Sequence, residues 1–509
     1  MGKLFKAVFY VTLFSILTRA LGFVMRVYLS RVLGAELLGS YQMAMSVFSV
    51  LLTLIASGLP TIIGRTTANL RAKGDRSSEH KFVTSGLIFA CGIALAVSAI
   101  IFVFPGLLDL IFTSKGSTKI VILLLPGLIA SSVYTILRGS LWGQKRFFTI
   151  SFAEFFEQAA RIVILLILVN IPLAMPLDER AALSLSLACV ISAIFVMVMY
   201  IVFGGKLANP KSTFIPLMRR STPITAVRTI SNVITSAISL IIPSRLMLYG
   251  LTASEAMAEY GIIMGMSFPL LLIPGTIIGS IAVTLVPEIS EQTTNIDAEV
   301  KSLPTLKSQI NIALSLSIIV SCLLLPAFIV LGKPIGTFLY ANSKAGIYLR
   351  ASAILMLPMG ISQITGSVLN AVGLEMKSLK NSAISAILLF LCIFFLPKYI
   401  GVWGLIIGMG TLSVSQSILN IMMLKKRGVF SANCLKVLGI MLLASIPSAI
   451  LGYLSFNLLI KILPLFFALA IAGVICVGAL TLFVMLTNLA NIKAFVFKKA
   501  NRKKVKKGN

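Results

Sequence analysis

The sequence predicts an all-α polytopic membrane protein of about 14 transmembrane helices, arranged as two six-helix lobes related by a pseudo-twofold plus two C-terminal helices. Three observations predict it. Hydrophobic residues make up 58% of the 509-residue chain and charged residues only 12%, with a mean hydropathy of +1.03. A soluble fold of this length has no way to hide so much apolar surface, whereas a bilayer accepts it. Apolar runs of about 20 residues, long enough to cross the hydrocarbon as helix, recur from end to end. Basic residues then gather in alternate connections between those runs, which is how membrane chains set their orientation.

The runs centre near residues 20, 54, 92, 128, 162, 192, 234, 272, 318, 358, 388, 412, 446 and 474. Connections are short, so no soluble domain is expected. The first lobe is 1–205, a basic linker spans 206–221, the second lobe is 222–430, two further spans fill 431–490, and 491–509 is a basic tail. Lys3 and Lys6 before an apolar run mimic a signal peptide, but Arg19 interrupts the run and no small-x-small cleavage site follows. The first span therefore reads as an uncleaved helix. The N-terminus and every second connection after it hold thirty Lys and Arg, against nine on the other side. Both termini are thereby expected in the cytoplasm. That asymmetry also accounts for the net charge of +29 without a nucleic-acid partner. The tail KKANRKKVKKGN reads as an anchor that touches anionic lipid. His80 is the single histidine, and the six cysteines lie scattered without metal or redox spacing; they read as small core residues, with no metal and no cofactor expected.

A faint repeat relates the lobes. Ser30-Arg31 before Gly34 recurs as Ser244-Arg245 before Gly250, SGLPTIIGR (57–65) aligns with SIAVTLVPE (280–288), and Gly143 answers Gly373. The offsets pair spans 1 with 7, 2 with 8 and 4 with 10. Six spans per copy is even, so the copies run parallel, as in several transporter folds with a central cleft. A two-lobed chain needs no second copy to make that cleft, so a monomer is expected.

Five arginines fall inside spans: Arg19, Arg26, Arg161, Arg228 and Arg245. Each costs roughly 2.5–3.5 kcal/mol at a helix centre on insertion scales, so each is expected to face a wet cavity or a partner. Arg19 and Arg26 lie seven residues apart, within about 20° on one helix face, and Arg65 near the end of the second span extends their strip. Snorkelling to the interface is the plainer reading for Arg31, and it competes for Arg65 and Arg245. Glu157 and Arg161 stand at i,i+4 in the favourable order for an internal salt bridge. In the alternative, Glu157 pairs with a first-span arginine and yields it to substrate. Glu288 ends the eighth span where Arg65 ends the second, an opposed pair suited to latch the lobes. Pro60 in span 2 and Pro274 in span 8 suit bending at matched places. Spans 7, 11 and 12 contain no acid and offer only Asn232, Asn381, Ser385, Ser413, Gln416 and Asn420. A cavity with surplus guanidinium implies an anionic ligand, and arginine's fork suits phosphate.

These residues carry a resemblance. FPLLLIPGTIIGSIAVTLVPEISE (268–291), TRALGFVMRVYLSRVLG (18–34) and RGSLWGQKRFFTISFAE (138–154) resemble motifs of the polysaccharide-transport and lipid II flippase group. That group belongs to the multidrug/oligosaccharidyl-lipid/polysaccharide (MOP) exporter superfamily. Ile263 stands where lipid II flippases tend to carry an arginine, and Ser57 near a position often acidic; both departures favour the sporulation-type branch. The resemblance implies a bacterial cell-membrane flippase turning an undecaprenyl-pyrophosphate-linked saccharide to the outer leaflet for cell-wall assembly. Arg19 falls on the family's first-helix arginine, and Arg26 lies one position past a second.

The substrate-binding set expected is therefore Arg19, Arg26, Arg65, Arg228, Arg245 and Glu157, with Glu288, Pro60 and Pro274 gating. A cation-coupled multidrug exporter of the same superfamily would want an acidic cavity, the opposite of this balance. A membrane-embedded transferase needs a base or paired acids near the surface, which the chain lacks. A non-transporting scaffold for cell-wall synthesis enzymes stays open as a further alternative.

Overall fold

The computed structural model describes residues 2–110, 112, 115–294, 303–431 and 433–486; within that range the side chains of 2–10, 115, 227, 283–288, 290–294 and 303–305 are not described. The basic tail 491–509 thus lies outside the described residues. All regular structure there is helical, and the chain divides into two compact units, Met1–Gly265 and Met266–Asn509.

The first unit contains α1 (Gly2–Ala56), α2 (Leu59–Ala72), α3 (Arg76–Val103), the short α4 (Gly106–Asp109), α5 (Lys115–Gly143), α6 (Phe147–Asn170), α7 (Leu177–Val202), α8 (Phe214–Met247) and α9 (Ala253–Tyr260). At 55 residues α1 is far longer than one crossing needs, and Gly34 breaks it with φ +70°, a conformation only glycine adopts without strain. A second break at Ser57-Gly58 separates α1 from α2, and Pro60 sits in the first turn of the new helix, where its missing N–H costs nothing. Asp75 starts α3 by accepting a bond from Ser78 N (2.9 Å). Beside that start, fully buried Glu79 takes the Arg71 guanidinium at 2.8 Å and the Gln144 amide at 3.3 Å, tying α2, α3 and α5 at one end of the unit. At the turn between α6 and α7, the buried Arg180 donates to the carbonyls of Leu168, Val169, Ile171, Leu173 and Met175. A loop that would otherwise leave acceptors unsatisfied is closed by one side chain.

In the second unit a π-helical stretch, Gly261–Ser267, crosses the boundary and leads into α10 (Phe268–Leu271) and α11 (Ile273–Thr294). The run Ala253–Leu271 meets Ile273–Ala282 at 45°, with Pro274 in the first turn after the bend. Pro60 and Pro274 therefore occupy the same place, just past a break. The unit continues with α12 (Leu303–Leu323), α13 (Leu325–Tyr340), α14 (Ser343–Ser352), α15 (Met356–Ala371), α16 (Glu375–Phe395), α17 (Pro397–Ile400), α18 (Trp403–Lys426), α19 (Asn433–Leu459) and α20 (Leu465–Leu486).

One expectation is corrected. Eleven helices among the described residues are long and apolar enough to cross a membrane, or twelve with the bent pair, against the fourteen expected. Hydropathy counts Val11–Ala72 as a single 62-residue run, although it breaks at Gly34 and again at Ser57-Gly58. It also passes over the 24-residue α6, whose Glu154, Glu157 and Arg161 dilute an otherwise apolar helix. The two compact units divide at Gly265, past the segment 206–221. The reason is packing. Segment 206–213 is stitched to α3 through Lys206 N–His80 Nδ1 (3.4 Å), Ala208 N–Thr84 Oγ1 (3.0 Å) and Ser85 Oγ–Thr213 Oγ1 (2.6 Å), so α8 belongs to the first unit.

Candidate substrate-binding site

The first pass of α1 has three arcs. Phe14 packs edge-on against Phe148 and Phe152 of α6 (5.6 and 5.7 Å between centroids), and Met25 and Leu29 are buried. Gly22 belongs to this arc: a Cβ there would come within 4.0 Å of the Gln158 amide. Leu13, Ile16, Leu17 and Val24 form the exposed apolar arc, Ile16 at 60% and Val24 at 57%, suited to lipid. Arg19 and Arg26 fall between the two arcs and are both exposed. They form the strip that their spacing predicts. Arg19 makes no hydrogen bond or ion pair with the described residues.

On α6, Glu154, Gln158 and Arg161 share one face at i, i+4 and i+7. Each charge is engaged in its own way. The Arg138 guanidinium of α5 donates to Glu154 Oε1 at 2.5 Å. Arg161 donates to the Tyr41 hydroxyl at 2.5 Å, and Tyr41 is only 3% exposed. The expected internal salt bridge between Glu157 and Arg161 is therefore absent: the guanidinium extends across to α1 rather than up its own helix. Glu157 also closes onto neither Arg19 nor Arg26. It remains half-buried, in the electrostatic field of Arg161, Glu154 and Arg138.

From α8, Arg228 donates to the Ser57 carbonyl at 2.5 Å, and Thr225 Oγ1 accepts from Gly58 N at 3.1 Å. Asn232 donates to Thr53 Oγ1, and Ser236 Oγ to the Ser46 carbonyl at 2.9 Å. One face of α8 thus holds the break in the second span, which supplies the backbone groups that a broken helix leaves unpaired. Arg228 commits one amino group to that carbonyl while the residue remains exposed. Arg245 is half-buried in the last turn of α8, where the helix dipole favours a cation.

Arg65 lies on α2, facing α5. It is exposed and lines a hollow of about 330 Å³ with Pro60, Thr61, Gly64, Arg138, Gly139 and Trp142. The Glu288 side chain lies outside the described residues. No group of three His, Cys, Asp or Glu among the described residues would hold a metal.

Around these contacts six arginines (Arg19, Arg26, Arg65, Arg138, Arg161 and Arg228) stand with Glu154 and Glu157, while the unit also buries Glu79, Asp178 and Glu259 elsewhere. Such a local surplus at low dielectric attracts anions, and guanidinium geometry favours phosphate oxygens. Sequence reasoning missed Arg138, Tyr41, Gln158 and Trp142. For Arg138 a signal existed: the connection between α5 and α6 is short, and an antiparallel hairpin sets positions 138 and 154 opposite each other.

Comparison with known proteins agrees with this architecture. A family model described as polysaccharide biosynthesis protein matches residues 4–293. Stage V sporulation protein B of Bacillus subtilis (strain 168) is 25% identical over 459 residues, covering 86% of this chain and 88% of that protein. Among solved structures, lipid II flippase MurJ in an inward closed conformation aligns with a TM-score of 0.69 at 16% identity, over 95% of this chain and 99% of that one. An inward-facing multidrug resistance MATE family transporter of the MOP superfamily gives 0.66 at 15% identity, over 81% and 94%. At these identities the structural likeness speaks for the fold alone. The family match places this chain in the polysaccharide biosynthesis protein family, as a multi-pass membrane protein with a fold like that of MurJ and MATE transporters.

Proposed function

We propose that this protein is a flippase for an undecaprenyl-pyrophosphate-linked saccharide, carried from the inner to the outer leaflet by alternating access. The observation that carries the reading is Arg19: a guanidinium within an apolar helix, exposed and without a carboxylate partner, seven residues from a second arginine on the same face. Leaving such a group unpaired is costly in a membrane unless an anion arrives to meet it. Pyrophosphate supplies that anion, and its oxygens match two guanidinium forks. The thirty-to-nine basic asymmetry supports cytoplasmic termini, so the head would be collected from the basic side. The breaks before Pro60 and Pro274 would supply the bending, and the prenyl tail would stay in lipid.

Energy for the step is available without a coupling ion. Moving about two negative charges outward across an inside-negative membrane releases roughly 4.6 kcal/mol per 100 mV. The test is transbilayer movement of a fluorescent lipid-linked saccharide by the purified protein in vesicles with an imposed potassium-diffusion potential. Movement that accelerates with inside-negative voltage, and falls about 100-fold in Arg19→Ala, is the expected result. Wild-type protein that moves nothing would instead favour the scaffold. Movement that ignores voltage but follows a sodium or proton gradient would replace the coupling.

A further inference from the structure

The hollow beside α2 and α5 has the chemistry of a binding site in its own right. Its floor is a seam of glycines. A Cβ on Gly64 would stand 3.1 Å from the Gly139 carbonyl oxygen, one on Gly139 would stand 2.8 Å from Pro60 Cα, and one on Gly143 would stand 2.5 Å from the Gly64 carbonyl oxygen. Backbones that close leave no side chains to fill the space above them, and the hollow of about 330 Å³ results. Three larger side chains wall it. Arg65 is exposed and makes no hydrogen bond or ion pair with the described residues. Arg138 gives one amino group to Glu154 at 2.5 Å, while its Nε, on the same edge of the guanidinium, is buried and lacks an acceptor. Trp142 is 53% exposed, and Phe147 meets it edge-on at 5.3 Å, fixing the indole.

We infer that this hollow binds a phosphorylated saccharide, separately from the Arg19 and Arg26 strip. The phosphate oxygens would take the unpaired Arg65 fork and the Arg138 amino group that Glu154 does not hold, both charge-assisted donors. The sugar ring would lay its C–H face on Trp142, where the negative π-face meets weakly positive hydrogens. The inference rests on the flippase reading for the ligand's natural source, since the hollow would hold a lipid-linked head before it reaches α1. The same chemistry is also offered by a soluble nucleotide sugar.

The chain has two tryptophans, so Trp403→Phe leaves Trp142 as the only indole reporter in the full-length protein. Its fluorescence is titrated in nanodiscs with a nucleoside-diphosphate sugar in one arm and a short-chain lipid-linked saccharide in the other. A saturable change in either arm, weakened at least tenfold by Arg65→Gln, is expected; Arg138→Gln should weaken it less because that group is shared with Glu154. Saturation in the lipid arm alone identifies the carried head as the ligand, and saturation in both identifies a site for the shared sugar-phosphate unit. No saturable change in either arm, or equal affinity in Arg65→Gln with an unaltered melting temperature, overturns the inference. The two readings fail separately. Flipping that depends on Arg19 with a silent Trp142 sinks only this site, whereas binding at Trp142 without flipping sinks only the transport reading.

Discussion

Both units bury many hydroxyl side chains, but they differ in the charge on their spans. The first carries arginines that lack a dedicated carboxylate: Arg19 makes no ion pair with the described residues, Arg138 shares Glu154, and Arg161 settles on a tyrosine. In the second, neutral side chains pair with one another. Asn381 donates to Asn420 at 3.0 Å, Asn420 to Thr365 at 3.1 Å, Gln416 to Ser382 at 2.9 Å, and Gln363 to the Gly275 carbonyl at 3.0 Å. Neutral pairs of this kind carry no net charge to offer an anion, although the buried Ser317, Ser321 and Ser385 hydroxyls stay unpaired. Guanidinium groups outnumbering nearby carboxylates do carry such a charge, which is consistent with the proposed anion recognition in the first unit.

The sharpest way to break this comparison is to exchange losses between the units. Arg19→Ala should cost transport about 100-fold, the worth of roughly 3 kcal/mol of charge-assisted bonding, with little change in melting temperature. Asn420→Ala should do the reverse. It leaves buried Asn381 and Thr365 short of partners, a loss of about 1–3 kcal/mol of stability, with transport per folded molecule within about threefold. Thermal unfolding read alongside vesicle flux separates the two. If Asn420→Ala abolished flux at unchanged stability, the contrast would fail.

A smaller effect is expected where α8 holds the broken second span. Arg228→Gln keeps a donor for the Ser57 carbonyl but loses the charge, so flux should fall by about threefold to tenfold while affinity for the lipid-linked head stays within a factor of about two. A large loss of affinity instead would return Arg228 to the binding set. The smallest effect lies at Asp75, which caps α3 outside the spans. Its bonds from Ser78 hold the carboxyl below the ordinary carboxylate pKa. A depressed acid stabilises the fold above its unfolded pKa of about 3.9 and loses that contribution as the pH falls through its lower folded value. Asp75→Ala should therefore melt slightly earlier at pH 7, and the difference from wild type should shrink towards pH 3. A difference that grew on acidification would contradict the cap.

Much of this was legible in the chain itself because membranes simplify the code. Apolar run length alone gives the class, and Pro and Gly mark the breaks before Pro60 and Pro274. Seven-residue spacing puts Arg19 and Arg26 on one strip. What the sequence hides is the destination of each charge, since partners such as Arg161 and Tyr41, or Arg228 and Ser57, are chosen by helix packing over long separations. The i,i+4 rule pointed Arg161 at Glu157 because that pair is local; the tertiary acceptor won. The divide at Gly265 was hidden for the same reason: no local signal announces that α8 packs on α1.

A last consequence follows from the meeting of α1 with the start of the eighth span. A Cβ on Gly39 would lie 2.1 Å from the Met257 carbonyl oxygen, and one on Gly261 would lie 2.1 Å from that of Ala35. Neither helix can acquire even a methyl group there while the other keeps its place. For a lineage drifting over evolutionary time, these two codons behave as one inherited unit, fixed by backbone crowding and independent of whichever cargo the descendants come to carry.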